Sequence, residues 1–378
     1  MTPIKIPISF LMLFLFCCSI NLSAQNKKTL VDFFLPMESQ KELVSKGIWG
    51  DSNVIPRDTT NGLEDATLKK WCYWDGKIVK DDEGKYHMYA SRWDEKYSHS
   101  KGWHLGSKGM HAVSNNIMGP YVDKGLLWPQ WKEGIGHNVI GLRMHDGRFA
   151  AVTCELTDGE IFVSENANGP FKLLGKIKVD PNGFSMGLAR YQNKTKPHYG
   201  HMSNVKILLR PDGRYMLIGR STAVMISDNG ILGPYKIMSD RIYKKYPELP
   251  QTRNEDPTIW YSGGMYHIVY NHWPTKTAHH FTSEDGIADW KYRGIAFKKE
   301  EFKIFKYTDG TINDWQFVER PTAYVENGHV THFMFSVIDV KKGQDRGSDN
   351  HASKIVVVPF DGVAFDNYMQ KLVKEEKK

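Results

Sequence analysis

One short phrase recurs along this chain and decides what it can fold into. It reads "AVSNNIMGPY" at 112–121, "FVSENANGPF" at 162–171, "MISDNGILGPY" at 225–235 and, in a weaker form, "FTSEDGIADW" at 281–290. Each copy is a short apolar strand, a Ser-led turn, and a Gly-Pro breaker or equivalent that runs into an aromatic residue. A hairpin phrase precedes each copy: "EGKYHMYAS" (83–91), "DGRFAAVTC" (146–154), "DGRYMLIGR" (212–220) and "GGMYHIVYN" (263–271). A fifth, "NGHVTHFMFSV" (327–337), stands near the C-terminus. Asp-Gly and Asn-Gly steps between apolar runs are hairpin turns.

A third phrase lies upstream of each hairpin, where a polar pair opens a strand: "WDGKIV" at 74–79, "HNVIGL" at 137–142, "SNVKIL" at 203–208, "EDPTIW" at 255–260 and "ERPTAY" at 319–324. Five units, each a strand–hairpin–strand meander, describe an all-β chain folded as a five-bladed β-propeller. A sandwich would not repeat one polar pair at the head of every unit. No stretch shows a 3.6-residue periodicity of helix length. The propeller is expected over 61–362, with 26–60 as a lead-in and 363–378 as a charged, frayed tail. The fifth unit lacks its Gly-Pro phrase. Its outer strand is therefore "SKIVVVPF" (353–360) or is supplied by the N-terminal segment.

Residues 1–25 read as an export signal that is removed, so a periplasmic or secreted protein is expected. Lys5 is the positive start, "ISFLMLFLF" the apolar centre and "NLSAQ" the small-residue cleavage region. The apolar run is too short to span a bilayer, and no later stretch qualifies. Phe16 before Cys17 suits a lipoprotein signal poorly. Cys72 and Cys154 then remain, too few for a disulfide framework and without a CxxC pair for zinc. A formal net charge of +7 favours an anionic partner. The basic residues are scattered, which argues against nucleic acid and for an acidic oligosaccharide or polysaccharide.

The innermost strand of every propeller blade starts near the central axis, so the five polar pairs converge on one funnel. They are Trp74-Asp75, His137-Asn138, Ser203-Asn204, Glu255-Asp256 and Glu319-Arg320. Taken singly, an Asp or Asn at a strand start caps a turn. Five pairs on one axis, with carboxylates, a His and an Arg among them, make a cleft of ionisable groups suited to acid–base chemistry.

With these residues the chain resembles the five-bladed propeller glycoside hydrolases, the superfamily of family 43 and its relatives, over residues 70 to 360. "WDGKIVKDDEGKYHMY" is similar to the first-blade phrase that carries the general base, which the resemblance places at Asp75. "NEDPTIW" is similar to the Glu-Gly-Pro phrase of the general acid, placed at Glu255. "VERPTAY" resembles the last-blade phrase of more distant propeller enzymes, with Glu319 as reserve acid. "DNHASKI" puts His351 where relatives keep a central His near a bound cation. This implies a structural Ca2+ at the propeller centre, with no cofactor required for the chemistry. One departure stands out: the third carboxylate, expected at the head of a middle blade, is replaced there by His137-Asn138 and Ser203-Asn204.

Hydrolysis needs one protonated and one ionised carboxyl across the scissile bond. Glu255, beside like-charged Asp256, supplies the first and Asp75 the second. The alternative is β-elimination on a uronic acid, with His137 or Tyr199 as base and acid. In it, Asn138, His201, Asn204, Arg253, His272 and Arg320 bind the sugar and neutralise its carboxylate. A non-catalytic sugar-binding propeller is the third reading. Trp93, Trp128, Trp131 and Trp273 are candidates for stacking on sugar faces under all three.

Overall fold

The computed structural model describes residues 27–39, 50, 54–155, 157–180, 203–299 and 304–378. Five antiparallel sheets follow one another along the chain as the blades of a β-propeller. Blade I is β1 (Trp71–Lys80), β2 (Tyr86–Asp94), β3 (Lys108–Ser114) and β4 (Val122–Leu126). Blade II is β5 (Ile140–Arg143), β6 (Phe149–Thr153), β7 (Glu160–Ser164) and β8 (Lys172–Lys176). The short β9 (Val179–Asp180) then adds in parallel to the outer edge of blade III. Blade III itself is β10 (Lys206–Leu209), β11 (Tyr215–Ile218), β12 (Met225–Ser227) and β13 (Tyr235–Ile237). Blade IV is β14 (Asn254–Ser262), β15 (Met265–His272), β16 (Thr277–Ser283) and β17 (Lys291–Lys298). Blade V has three strands, β18 (Phe317–Glu326), β19 (His329–Ile338) and β20 (Lys354–Pro359).

The recurrent phrases are the hinges of this plan. The Gly-Pro steps at 119–120, 169–170 and 233–234 all hold cis peptides with the glycine at positive φ, a backbone that an L side chain rarely adopts. Each sheet is apolar on both faces, because each packs against two neighbours. The buried side chains accordingly fall into clusters that bridge successive blades. Val79, Tyr89 and Trp128 of blade I meet Phe149 and Phe162 of blade II, and Val152 and Ile161 meet Leu217 and Tyr235 of blade III. Met216 and Ile226 meet Ile268 and Phe281 of blade IV, and Tyr324 and Met334 of blade V meet Ile78 and Met88. Trp93 and Trp128 are buried in this packing, Trp128 stacked on Phe162 at 3.9 Å. That corrects the expectation that they stack on sugar.

Blade V closes the ring with both candidates for its outer strand. "SKIVVVPF" supplies β20, and the N-terminal segment bridges to it through Leu63–Ile355 and Phe34–Phe360. A buried ion pair between Arg57 and Glu64 and the bond from Asn61 Nδ2 to the Val357 carbonyl fix that segment. The residues beyond 362 are not a frayed tail. Gly362–Glu376 is a helix capped by Asp361, whose side chain accepts from the Ala364 N–H at 3.0 Å. Phe365, Met369, Leu372 and Val373 form a helical stripe among the lysines and glutamates, and they pack on the cluster of blades IV and V. Cys72 and Cys154 are both free and buried.

Every inner strand carries the same bulge. Between Trp74 and Lys77, Glu255 and Thr258, and Glu319 and Thr322, the register against the second strand slips by one. Blades II and III repeat it, with Cys154 N–H on the His137 carbonyl and Arg220 N–H on the Ser203 carbonyl. The first bulge residue is left-handed in all five blades: Asp75 (φ 63), Asn138 (52), Asn204 (53), Asp256 (52) and Arg320 (56). Four of the five are Asp or Asn, the non-glycine residues that tolerate this conformation best.

Side chains of one blade's second strand tie down the next blade's bulge. Ser336 Oγ accepts from Asp75 N–H at 2.7 Å, Ser91 Oγ from Val139 N–H at 3.3 Å, and Cys154 Sγ from Val205 N–H at 3.4 Å. Ser336→Ala leaves the buried Asp75 N–H unpaired. It is expected to cost about 1–3 kcal/mol, read as a lowered urea midpoint with unchanged slope.

Candidate active site

The left-handed bulge turns the second residue of each pair onto the axis. There Arg320 lies between two carboxylates, Nε to Asp75 Oδ1 at 3.2 Å and Nη1 to Asp256 Oδ1 at 2.9 Å. All three side chains are closed off, at 8%, 0% and 2% exposure. Burial pushes the Asp75 carboxyl up from its ordinary range, and Arg320, then Lys206, pull against it. Arg320 is itself held charged by Asp256 and Asp75 against the cost of burial. An arginine in a left-handed position is unusual, and these two ion pairs are what keep it there.

A carboxylate that the strand heads did not reveal sits between blades II and III. Glu155, 2% exposed, accepts from Asn138 Nδ2 at 3.2 Å, Ser203 Oγ at 2.5 Å and Asn204 N–H at 3.2 Å. Arg220 completes the group. Its Nη2 meets Glu155 Oε1 at 3.1 Å and Glu255 Oε2 at 3.4 Å, and its Nε donates to Asn204 Oδ1 at 2.8 Å. Glu155 thus places a carboxylate between the two middle blades, whose polar pairs carry none. It comes from the end of the second strand, beside the residue that faces His137.

The first residues of the blade IV and V pairs line one cleft, Glu255 part-open and Glu319 buried at 9% side-chain exposure. Glu255 retains 23% side-chain exposure, and its proton affinity is raised to about 7 by burial, then by Asp256 and Glu319. Arg220 and Arg320 oppose that rise. Glu319 accepts from Lys342 Nζ at 2.5 Å, and the same ammonium lies 4.6 Å from the Trp74 ring centre. Around the two glutamates a cleft is lined by Asn271, Trp273, Lys276 and Phe317. Trp273 is 47% exposed, the one of the four proposed stacking tryptophans that presents a large open face there.

The other candidates are placed differently. Arg253 is exposed at the mouth of blade IV, next to His272, whose Nδ1 meets Thr275 Oγ1 at 2.8 Å. Burial, then Arg253, lowers the His272 pKa. His137 is 1% exposed and packed edge-on against Trp103 at 5.4 Å, and burial pushes its pKa down to about 4. Burial likewise pushes down the pKa of His99, wedged between Trp74 and Trp93, whose backbone N–H donates to Asp345 Oδ2. Tyr199 and His201 lie outside the described residues.

His351 faces Asp339, Nδ1 to Oδ2 at 2.9 Å. Among the described residues no group of three His, Cys, Asp or Glu side chains is arranged to hold a metal ion. The axis itself carries Arg320 and Lys206 beside its two aspartates. That donor set does not fit the expected Ca2+.

The fold defines a class: the five-bladed β-propeller on which glycoside hydrolases are built. No protein-family model and no curated protein matches the sequence. Among solved structures, one described as a glycoside hydrolase superposes with a TM-score of 0.52 over 79% of this chain, at 14% identity. This chain spans 61% of that protein's length. A family 117 glycoside hydrolase from the marine bacterium Zobellia galactanivorans gives 0.52 at 13% identity, over 80% of this chain and 88% of its own. An exo-β-1,3-galactanase from Clostridium thermocellum gives 0.52 at 12% identity, over 80% and 62%. At these identities the likeness is one of fold, and it agrees with the resemblance drawn from the blade phrases.

Proposed function

We propose that this chain is an exported enzyme that hydrolyses glycosidic bonds in acidic, uronate-containing or sulfated oligosaccharides. The observation that carries the reading is Glu255. A half-open carboxyl with a proton affinity near 7, beside a second carboxyl, meets the requirement for a general acid at neutral pH. In the proposed step the Glu255 proton passes to the glycosidic oxygen as its bond to the anomeric carbon breaks. A water adds to that carbon and gives its proton to Glu319, whose cationic neighbour is Lys342. Proton exchange with solvent then restores both groups. Asp75, the base implied by the resemblance, has no exposed side-chain surface and faces Arg320. Its role here is to fix Arg320, together with Asp256, under the reacting sugar.

The net charge of +7 and the cations at the mouth support an acidic substrate. Arg220 keeps 35% exposure while bridging Glu155 and Glu255, and Arg253, two residues before Glu255, is exposed. Trp273 offers a sugar-stacking face on the same rim. Arg220 is also the observation behind a second reading, β-elimination, in which a guanidinium neutralises the uronate. That reading lacks His137 as its base, because the ring is buried against Trp103. Incubation with a panel of uronate-containing and sulfated oligosaccharides, read by mass, tests the proposal. Fragments whose masses sum to substrate plus one water are expected. Fragments that sum to the substrate alone, with the absorbance of an unsaturated uronate, would replace hydrolysis by elimination.

A further inference from the structure

Beside the two glutamates the cleft holds a buried amide that the fold does not use. Asn271 is 6% exposed, and its Oδ1 has no hydrogen-bond partner among the described residues. The sheet explains why. On β14 the residue directly opposite Asn271 is Glu255, so the two side chains emerge on one face of blade IV. On β16 the opposite residue is Ala278, buried and without a polar side-chain atom. Asn271 and Trp273, two positions further on, both line the cleft with Glu255 and Glu319. Glu319 repeats the pattern on blade V. Its Oε2 is taken by Lys342, while its buried Oε1 has no partner among the described residues.

The lining therefore offers acceptors that lack donors, next to the open face of Trp273. A buried acceptor without a donor destabilises the free fold and is relieved when a ligand supplies one. A sugar carries hydroxyl donors around an apolar ring face and is the complement of such a lining. We propose that Asn271 is a sugar-binding residue that sets specificity in this cleft, its amide oxygen accepting from a hydroxyl of the sugar that stacks on Trp273. The inference rests on the reading of the cleft as a saccharide site, but not on the hydrolytic step. Because Asn271 stands opposite Glu255, the hydroxyl it reads lies close to the bond that Glu255 is proposed to protonate.

Asn271→Leu and Asn271→Ala in the full-length chain test this. An amide that serves a ligand is not needed by the fold, so the free variants are expected to melt within about 3 °C of wild type or above it. Wild type is then melted with about 10 mM of each uronate-containing or sulfated oligosaccharide of the panel. At least one is expected to raise its melting temperature by about 2 °C or more, a rise absent from both variants. On a cleaved member, kcat/KM is expected to fall by about 10–100-fold in each variant. A saccharide shift that depends on Asn271, without cleavage of any member, would remove the hydrolytic reading and leave this inference standing. Cleavage with kcat/KM within about threefold of wild type in either variant would do the reverse. Free variants that both melt more than about 3 °C below wild type would make the amide structural and overturn the proposal. A saccharide shift retained in either variant, or neither shift nor cleavage with any member, would also overturn it.

Discussion

Glu255→Gln is expected to lower kcat on an oligosaccharide substrate by roughly 10²–10⁴-fold, the usual contribution of a general acid. The amide keeps the size and the contact with Arg220 and removes only the transferable proton. The pH profile should change with it. An acid whose pKa lies near 7 is protonated below that pH, so wild-type kcat/KM falls as pH rises through about 7. The variant should lose that limb. Stability should move the other way. The folded-state pKa of Glu255 is raised above its unfolded value, so the wild type binds the proton more tightly when folded and loses stability as pH rises from about 4.5 to about 7. Glutamine removes this charge, so the variant should match or exceed wild type in urea at pH 8. Loss of activity without loss of stability separates a chemical role from a structural one.

Arg320→Met is expected to be the most damaging single change to the fold. The arginine is the shared partner of Asp75 and Asp256, and its removal strands two carboxylates that are 0% and 2% exposed. Breaking a buried pair by deleting one partner costs about 3–5 kcal/mol, and here one deletion breaks two. Without the guanidinium the buried Asp75 loses the charge that most opposes its raised proton affinity, so the deficit should be largest at neutral pH and shrink on acidification. Adding Asp75→Asn and Asp256→Asn to the same variant should recover much of the loss, because neutral amides need no counter-charge. Urea unfolding at pH 5 and pH 8 reads both effects. A deficit that is flat with pH would show that packing, not charge, makes Arg320 necessary.

The propeller was legible because its turns are written in residue types that physics restricts. A Gly-Pro step with the glycine at positive φ, or an Asp-Gly hairpin, leaves few substitutes, so copies survive as readable phrases. The five polar heads were legible for the same reason, since Asp75, Asn138, Asn204 and Asp256 occupy a left-handed bulge. Which member of each pair faces the axis was not legible. The bulge decides it, sending Asp256 and Arg320 to the axis and leaving Glu255 and Glu319 to line the cleft beside it.

Glu155, Arg220 and Lys342 come from second-strand ends and a loop, where no recurrent phrase marks the position, and Glu155 holds its left-handed backbone (φ 75) without the Asp, Asn or Gly that would signal it. A signal did exist. Arg220 pairs with Ser203 across the blade, and Glu155 adjoins Cys154, which pairs with His137. The residue facing each polar head therefore belongs to the same funnel. The C-terminal helix was hidden differently. Phe365, Met369 and Leu372 keep helical spacing, but the charged residues around them resemble a solvated tail.

The central claim, that Glu255 donates the proton to a departing glycosidic oxygen, is tested most directly by leaving-group dependence. Wild type and Glu255→Gln are compared on a cleaved oligosaccharide and on an aryl glycoside of the same sugar whose phenolate leaves without protonation. The account predicts that the variant loses roughly 10²-fold or more on the oligosaccharide and stays within about tenfold of wild type on the aryl glycoside. Equal losses on both substrates would contradict it.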